Sequence, residues 1–487
     1  MNWLVKQINE RPNHPALYVD DTVWTFAAIG RNVQQWMGYF STIVPETTKR
    51  VAVLSHNSSA HYFTIVALWS LGKEVVCLNT HLQPEELEYQ LDDAQVSFVI
   101  VDEFSQKKLT QLTGLMVIPM SLPQKHFSDS PWQDMGLDDV ATIMYTSGTT
   151  GRPKGVVQRF AQHLASAKGT AQNVSITADD CWLCAVPLFH ISGLSLICRQ
   201  LILGCSIRLY RKFSATEVTR DLVAGKGSVM SVVTLMLNDL LKAYPPTGYH
   251  DCFRFFLLGG GPVSVATLET CQKLELPVIQ SYGMTETCSQ VVALSFADAL
   301  THLGSVGKPL ANMVIKIVDA LNQEVPALVT GEIWLKGPNI VTNYLHDTTW
   351  HDTKWTTDGW FRTGDMGYLT EDGYLYLVSR LSELIISGGE NVYPTEVEQV
   401  LQQISSVQEV AVVGESHPKW GAVPVAYIVG HLTKAEMEDY LSSRLAKYKW
   451  PVAIYRCHNL PRTASGKLAK HRLLTKERDE YLWKSQN

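Results

Sequence analysis

The 487-residue sequence lacks the marks of a secreted or membrane-spanning protein. Its N-terminus, Met-Asn-Trp, has no cationic segment followed by an apolar core, which predicts no secretory signal. The most apolar region, residues 181–205, is interrupted by Pro187, His190 and Arg199, and this favours buried strand and helix over a membrane span. We therefore expect a cytoplasmic protein with no stable membrane insertion.

An excess of either charge is also missing. Lys and Arg together number 41 and Asp and Glu 47, for a net charge of −6, which gives no reason to expect nucleic acid as a partner. An anionic ligand must therefore find its positive charge locally. The nine cysteines are odd in number and scattered from Cys77 to Cys457, which indicates reduced thiols rather than a disulfide framework.

What is present begins with an alternation of short apolar runs and helical patterns. The apolar runs lie at 51–54, 75–78 and 96–101, and the helical patterns at 60–71 and 84–94. Such alternation predicts parallel sheet covered by helices. A second series of the same kind covers about 181–283, and no internal repeat or low-complexity tract interrupts the chain.

The texture changes twice towards the C-terminus. From about 304 to 380 short strands and turns predict a β-rich subdomain, and a shorter α+β unit follows. The border near 380–383 has no Gly/Ser linker, which fits a tight hinge better than a flexible tether. The sequence thus predicts an α/β protein with a large N-terminal domain of parallel-rich sheets and helices, residues 1–380, and a small mobile α+β domain, residues 381–487.

The strongest motif is the segment 145–155, Tyr-Thr-Ser-Gly-Thr-Thr-Gly-Arg-Pro-Lys-Gly, directly after an apolar run. Its glycines let backbone N–H groups approach phosphate oxygens, its hydroxyls add donors and its lysine adds charge. A flexible polar surface loop is the alternative. The pattern does not match a Walker A loop, so P-loop ATPase machinery is disfavoured. The residues expected to contact phosphate are Thr146, Ser147, Gly148, Thr149, Thr150 and Lys154.

This segment resembles the phosphate-loop signature of the adenylate-forming superfamily, which contains acyl- and aryl-CoA ligases, peptide-synthetase adenylation domains and luciferases. Further signatures of the family recur in the same order over nearly the whole chain. The resemblance implies an enzyme that takes a small carboxylic acid, ATP with Mg²⁺, and CoA as a co-substrate. It also implies two half-reactions, through an acyl-adenylate, with the small domain swinging between them.

A second signature, residues 282–287, resembles the family segment that follows a strand beside the nucleotide. A carboxylate beside phosphates needs a cation between them, so Glu286 is expected to contact Mg²⁺, with Thr285 donating to the α-phosphate. Taken alone, Thr-Glu-Thr is more often a helix start. The resemblance also places Tyr282 at the nucleotide and makes Gly260 and Gly261 the wall against which adenine lies, although the glycines could equally form a tight turn.

Later signatures complete the nucleotide and CoA sites. The resemblance makes Asp365 the acceptor for both ribose hydroxyls and brings Arg380 to the ribose and phosphate. It places Gly388 and Gly389 along the pantetheine channel. The family hinge is usually Asp or Lys, whereas Ser382 stands at the matching position here, so this hinge is atypical.

The C-terminal signature, residues 461–467, ends on Lys467. During adenylation a carboxylate and a triphosphate must meet, and a lysine bridging the two anions would stabilise charge at the α-phosphate. We expect Lys467 to take that role. A lysine in a polar loop is ordinarily a solvated surface charge, so the motif carries this assignment.

The segment 179–195 bears on the acid and on the thiol. Its Cys-x-x-Cys has no second pair and falls on a predicted buried strand, which disfavours zinc or redox chemistry. The resemblance places His190 over the acyl pocket next to the thiol entry and among the catalytic residues, with Lys467, Glu286 and Thr285. A satisfied core histidine is the alternative.

Together with residues 283–290, this segment resembles the bacterial o-succinylbenzoate–CoA ligases of menaquinone biosynthesis. Their acid is an aromatic dicarboxylate activated at its succinyl carboxylate, so the second carboxylate needs donors or a cation. The candidates are His190, Arg199, Ser289 and Gln290. One departure is His81, where arginine is expected, at a position that we interpret as structural or peripheral.

Other functions share these motifs. A benzoate-type or fatty-acyl-CoA ligase differs only in the acyl pocket, and a stand-alone adenylation enzyme would load a carrier protein instead of CoA. A non-catalytic nucleotide sensor is disfavoured, because binding alone requires no lysine aimed at the reacting centre. The oligomeric state stays open, a homo-oligomer included.

Overall fold

In the described parts of the chain, the fold consists of four β-sheets with helices packed against them. The computed structural model describes residues 1–121, 130–146, 153–261, 263–299, 301–346, 353–387, 390–442, 444–462, 468–473 and 480–484. Among these residues no helix is long and apolar enough to span a membrane.

One six-stranded sheet contains the first apolar runs. Its order is β6-β5-β3-β4-β7-β8, parallel except for the antiparallel β7–β8 pair at its edge. The strands are β3 (Arg50–Leu54), β4 (Glu74–Leu78), β5 (Phe98–Val101), β6 (Met116–Pro119), β7 (Val140–Thr146) and β8 (Lys154–Arg159), with helices α3 (Ser59–Ser70) and α4 (Pro84–Asp93). The parallel sheet predicted for this region is confirmed.

A nine-stranded sheet joins distant parts of the chain. Its order is β15-β14-β13-β12-β11-β9-β10-β1-β2, with parallel pairing from β1 to β13 and antiparallel pairs at both edges. The strands are β1 (Pro15–Val19), β2 (Thr22–Thr25), β9 (Cys181–Cys184), β10 (Ser206–Leu209), β11 (Val229–Val232), β12 (Phe255–Leu258), β13 (Val278–Met284), β14 (Ser289–Ala293) and β15 (Lys308–Pro309). Only the central strands of this sheet were predicted from the sequence.

Helices cover this sheet and bury its apolar strands. They are α1 (Trp3–Glu10), α2 (Phe26–Ile43), α5 (Phe160–Val174), α6 (Ile191–Leu203), α7 (Ala215–Val223), α8 (Thr234–Lys242) and α9 (Val265–Lys273). A continuous hydrophobic core runs between the two large sheets and through these helices. Because β9, β11, β12 and β13 lie side by side and run parallel, the loops at their carboxyl ends emerge on one edge of the sheet, where ligands of α/β proteins bind.

The β-rich subdomain is a four-stranded antiparallel sheet of β16 (Val314–Val318), β17 (Gly331–Lys336), β18 (Phe361–Leu369) and β19 (Leu375–Arg380). Near the predicted start of the subdomain, Gly307 forms an antiparallel bridge with Leu375 of β19, whereas residues 308–309 pair with the nine-stranded sheet. That pairing uses backbone hydrogen bonds from a two-residue strand, a signal too short to read from sequence.

The C-terminal unit has its own core. Its strands are β20 (Ile385–Ser387), β21 (Glu390–Val392), β22 (Val407–His417), β23 (Gly421–Gly430), β24 (Ala453–Arg456) and β25 (Glu480–Lys484), with helices α10 (Pro394–Leu401) and α11 (Lys434–Ser442). Two clusters of buried apolar side chains lie on either face of the β22–β23 hairpin. The exact domain boundaries, 1–380 and 381–487, stay a prediction.

Candidate active site

The predicted phosphate loop connects β7 to β8. Thr146 ends β7 and Lys154 begins β8, and the two residues pair across the hairpin. The Lys154 ammonium lies 5.9 Å from the ring centre of Tyr344. The loop residues Ser147, Gly148, Thr149 and Thr150 lie outside the described residues, so their contacts with phosphate stay predictions.

Thr285 and Glu286 lie in a single 3₁₀ turn directly after β13. The backbone carbonyl of Thr285 accepts a hydrogen bond from the Gln158 amide at 2.8 Å, and Gln158 is fully buried on β8. The Glu286 carboxylate accepts one from the Tyr344 hydroxyl at 3.0 Å. Neither Gln158 nor Tyr344 was predicted from the sequence. Gln158 could have been found, because it lies four residues after Lys154 on the same strand. Tyr344 lies 58 residues after Glu286, and no sequence pattern connects the two.

The surroundings of Glu286 fit a magnesium ion held mainly by a nucleotide. Among the described residues, no three His, Cys, Asp or Glu side chains cluster as a metal cage. Mg²⁺ is commonly bound by one or two carboxylates together with phosphate oxygens and water. In the part of the chain that the structure describes, the Tyr344 hydroxyl donates to Oε1 of Glu286, and Oε2 is the oxygen that would face a cation.

Three of the predicted nucleotide residues converge where β13 meets the β-rich subdomain. The Tyr282 hydroxyl donates to Oδ2 of Asp365 at 2.7 Å, and Nε of Arg380 lies 3.5 Å from Oδ1. Burial and the neighbouring Asp365 carboxylate raise the pKa of Tyr282 well above its usual value, so the phenol stays a donor. Asp365 and Arg380 face each other in the β18–β19 register, which explains why they meet although fifteen positions separate them in sequence.

The glycines after β12 lie beside this group. Gly260 has φ +85°, a left-handed conformation that favours glycine. A side chain at Gly261 would meet no atom within 4 Å, so this turn borders open space. β12 pairs with β13, which carries Tyr282. The glycines therefore form a turn after the strand that pairs with β13, and their role as the wall against which adenine lies stays a prediction.

Arg199 is a buried cation on α6. Its guanidinium lies over the Trp182 ring at 4.9 Å and donates to the Ser289 hydroxyl at 3.0 Å, while among the described residues its Nε has no hydrogen-bond partner. Burial lowers the pKa of Arg199 to about 10. The buried Gln290 also has an amide nitrogen that lacks a partner in this part of the chain. Such donors are unfavourable unless a ligand satisfies them.

A strained turn presents Ser289 to this cation. Cys288 and Ser289 have φ values of +49° and +102°, which side-chain-bearing residues rarely adopt. The Thr287 hydroxyl holds the turn by donating to the Ser289 carbonyl at 2.6 Å. A Cβ atom at Gly283 would collide with that same carbonyl oxygen, so the close approach requires glycine there.

His190 lies at the opposite end of α6, as its N-cap. Nine residues separate it from Arg199, which corresponds to about 13 Å along a helix axis. Whether His190 contacts the same acid as Arg199, Ser289 and Gln290 stays a prediction. His81 lies 6.5 Å from Phe189, whose ring is 4.7 Å from His190. These ring contacts fit the interpretation of His81 as structural or peripheral, and the thiol entry beside it stays a prediction.

The hinge is tied to the C-terminal segment by charge. Ser382 lies in a 3₁₀ turn, Leu381–Glu383. The ammonium of Lys470 lies 3.0 Å from Glu383 and 2.8 Å from Glu398. Gly388, Gly389 and Lys467 lie outside the described residues, and their roles stay predictions.

Comparison with known proteins agrees with this geometry. The model of the AMP-binding enzyme family matches residues 4–345, and that of the AMP-binding enzyme C-terminal domain matches residues 396–467. The chain belongs to the AMP-binding enzymes. The predicted superfamily and fold class are thereby confirmed.

Individual relatives of this AMP-binding enzyme cover its whole length. The chain is 56% identical to a 2-succinylbenzoate–CoA ligase of Enterococcus faecalis, over 99% of this chain and 100% of the relative. A 2-succinylbenzoate–CoA ligase of Listeria monocytogenes is 42% identical over 97% and 98% of the two chains. The structure is similar to that of o-succinylbenzoate CoA synthetase from Bacillus subtilis with its acyl-adenylate intermediate, at a TM-score of 0.92 and 38% identity over 98% and 99%.

Proposed function

We propose that this protein is a 2-succinylbenzoate–CoA ligase of menaquinone biosynthesis. It converts 2-succinylbenzoate, ATP and CoA to 2-succinylbenzoyl-CoA, AMP and pyrophosphate through an acyl-adenylate. The relatives named above support this acid, and so does the Bacillus subtilis structure, of which a further form holds ATP and magnesium ion. Because the reaction consumes ATP and CoA, we place it in the cytoplasm.

One observation in the molecule itself carries the choice of acid. Arg199 is buried with no carboxylate among its described contacts, which are the Trp182 ring and the Ser289 hydroxyl. A fatty acid or a simple benzoate has a single carboxylate, and that group must react at the phosphate. A dicarboxylate has a second one that can pair with the guanidinium, which makes the buried charge favourable only when substrate is bound.

The adenylation step must bring two anions together. The loop from Thr146 to Lys154 would hold the phosphates, and Thr285 would donate to the α-phosphate. Glu286 would hold Mg²⁺, which neutralises the charge of the phosphates when bound. Lys467 would bridge the attacking carboxylate and the α-phosphate, where negative charge develops. Asp365 with Tyr282 and Arg380 would orient the ribose. 

The thioester step transfers the acyl group from AMP to CoA. The CoA thiol attacks the carbonyl of the mixed anhydride, and AMP leaves. We assign the thiol entry to His190, with the pantetheine channel along Gly388 and Gly389. The small domain would turn about Ser382 between the steps, taking Lys467 away from the reacting carbon.

A direct test compares acids and acceptors. AMP formation is measured with 2-succinylbenzoate, benzoate and a fatty acid, each with CoA and with a phosphopantetheinyl carrier protein. We expect AMP formation with 2-succinylbenzoate and CoA only. Preference for benzoate or a fatty acid would assign a different CoA ligase, and preference for the carrier protein would assign a stand-alone adenylation enzyme.

A further inference from the structure

A short extended segment, residues 341–345, crosses between two parts of the nucleotide site. We call it the strap. Its N–H at Val341 donates to the backbone carbonyl of Glu286 at 2.9 Å, and its N–H at Leu345 donates to the carbonyl of Gly155 at 2.7 Å. Tyr344 forms an isolated antiparallel bridge with Val156. The strap thus joins the strand that follows the phosphate loop to the turn that carries Glu286.

The fit at both ends is close. A Cβ atom at Gly155 would lie 3.1 Å from Cβ of Leu345, a tight contact that only a small shift of the strap would relieve. Val341 and Tyr344 are buried, and the Tyr344 ring packs edge-on against Trp355 at 5.7 Å. The ring is therefore fixed by packing before any hydrogen bond of its hydroxyl is considered.

That fixed ring contacts both charged groups of the site. Its hydroxyl donates to Oε1 of Glu286 at 3.0 Å, and its face lies 5.9 Å from the ammonium of Lys154. A hydroxyl donated to one carboxylate oxygen sets the rotation of the carboxylate and so the direction of the other oxygen. Partners of this kind, which contact a ligand of a metal rather than the metal, commonly change metal affinity 10- to 100-fold.

We propose that Tyr344 is a positioning residue, which orients the Glu286 carboxylate towards Mg²⁺ bound with ATP while the strap joins the Glu286 turn to β8. This inference rests on the proposed adenylation chemistry but not on the identity of the acid. The ligand that it concerns is a divalent cation bound together with a nucleoside triphosphate.

The test replaces Tyr344 by phenylalanine, which keeps the ring and removes the hydroxyl. Thermal unfolding is followed with the non-hydrolysable probe α,β-methylene-ATP while free Mg²⁺ is titrated, so that no turnover and no acid are needed. We expect the Mg²⁺ concentration at half-maximal stabilisation to rise about tenfold in Tyr344→Phe. The Mg²⁺ dependence of pyrophosphate release should shift by the same factor.

Tyr210→Phe is the matched control, because the buried Tyr210 hydroxyl also donates to a carboxylate, that of Asp221, at 3.0 Å. It should leave the Mg²⁺ dependence unchanged. In a Glu286→Gln background, Tyr344→Phe should produce no further shift. An unchanged Mg²⁺ dependence in Tyr344→Phe, an equal shift in Tyr210→Phe, or a full further shift in the Glu286→Gln background would each overturn the proposal. If 2-succinylbenzoate proved to be the wrong acid, the probe titration would still give its answer.

Discussion

Replacing Arg199 by methionine should make the free protein more stable and its activity worse. Burial lowers the pKa of this guanidinium from 12.5 to about 10. At neutral pH, below both values, the group is charged in the folded and the unfolded state, so the whole penalty is present. A shift of that size corresponds to about 3 kcal/mol. Because Arg199 is a cation whose pKa is lowered in the folded state, this cost in folding free energy would disappear only as the pH rose through 10 and beyond.

Two favourable contacts of Arg199 offset part of this penalty. The hydrogen bond to Ser289 and the stacking on Trp182 contribute about 1 kcal/mol each. Methionine has similar length and no charge, so we expect the free energy of unfolding of Arg199→Met to rise by about 1 kcal/mol in urea denaturation. Arg254→Met is the control: Arg254 pairs with the Asp180 carboxylate at 2.8 Å, so its loss leaves a buried charge and should destabilise the protein.

Activity should move the other way. Without the guanidinium, the second carboxylate of 2-succinylbenzoate is buried unpaired, which costs about 3 kcal/mol, or roughly a hundredfold in kcat/KM. 3-Benzoylpropionate has the same skeleton without the ring carboxylate, and its kcat/KM should change little. If Arg199→Met were less stable than the parent protein, and lost activity equally towards both acids, the reasoning would be refuted.

Three further predictions concern the catalytic lysine, acid stability and the thiols. Lys467→Ala should abolish pyrophosphate release but still convert supplied acyl-adenylate and CoA; equal loss of both half-reactions would contradict its role. Burial lowers the pKa of His61 and of His163 to about 4. Each histidine should therefore reduce the free energy of unfolding as the pH falls below 6.5, by about 2 kcal/mol at pH 5. His163→Gln should halve this pH dependence of the free energy of unfolding, measured by urea denaturation. A thiol reagent should label Cys252 first, because Cys252 is exposed whereas burial raises the pKa of thiols such as Cys181 and Cys184. Cys252→Ser should remove the fast phase of labelling.

The parts of the fold that the sequence predicts are those with local signals. The apolar run at 51–54 becomes β3, which begins one residue earlier, and the helical pattern at 60–71 becomes α3, which is displaced by one residue. Pairing over long distances has no such signal. The strand β1, for instance, pairs with β10 at residues 190 positions later, and neither periodicity nor composition connects them.

The site divides in the same way. Sequence motifs identify Glu286 and Asp365, because a carboxylate in those motifs is expected to contact Mg²⁺ or the ribose. Their partners are set by the fold, since Tyr344 reaches Glu286 from a segment with no motif. In sequence, Arg254, which has a carboxylate partner, looks the same as Arg199, which has none among the described residues. Whether a buried charge is paired depends on residues tens of positions away, which is why only the structure separates them.

Acid-dependent exchange of labelled pyrophosphate into ATP is the most direct test of the central claim, that this chain activates the carboxylate of 2-succinylbenzoate as an adenylate. The account predicts exchange when Mg²⁺ and 2-succinylbenzoate are both supplied, in the absence of CoA, and none with Lys467→Ala. Exchange that proceeds equally without 2-succinylbenzoate, or no exchange with it, would contradict the account.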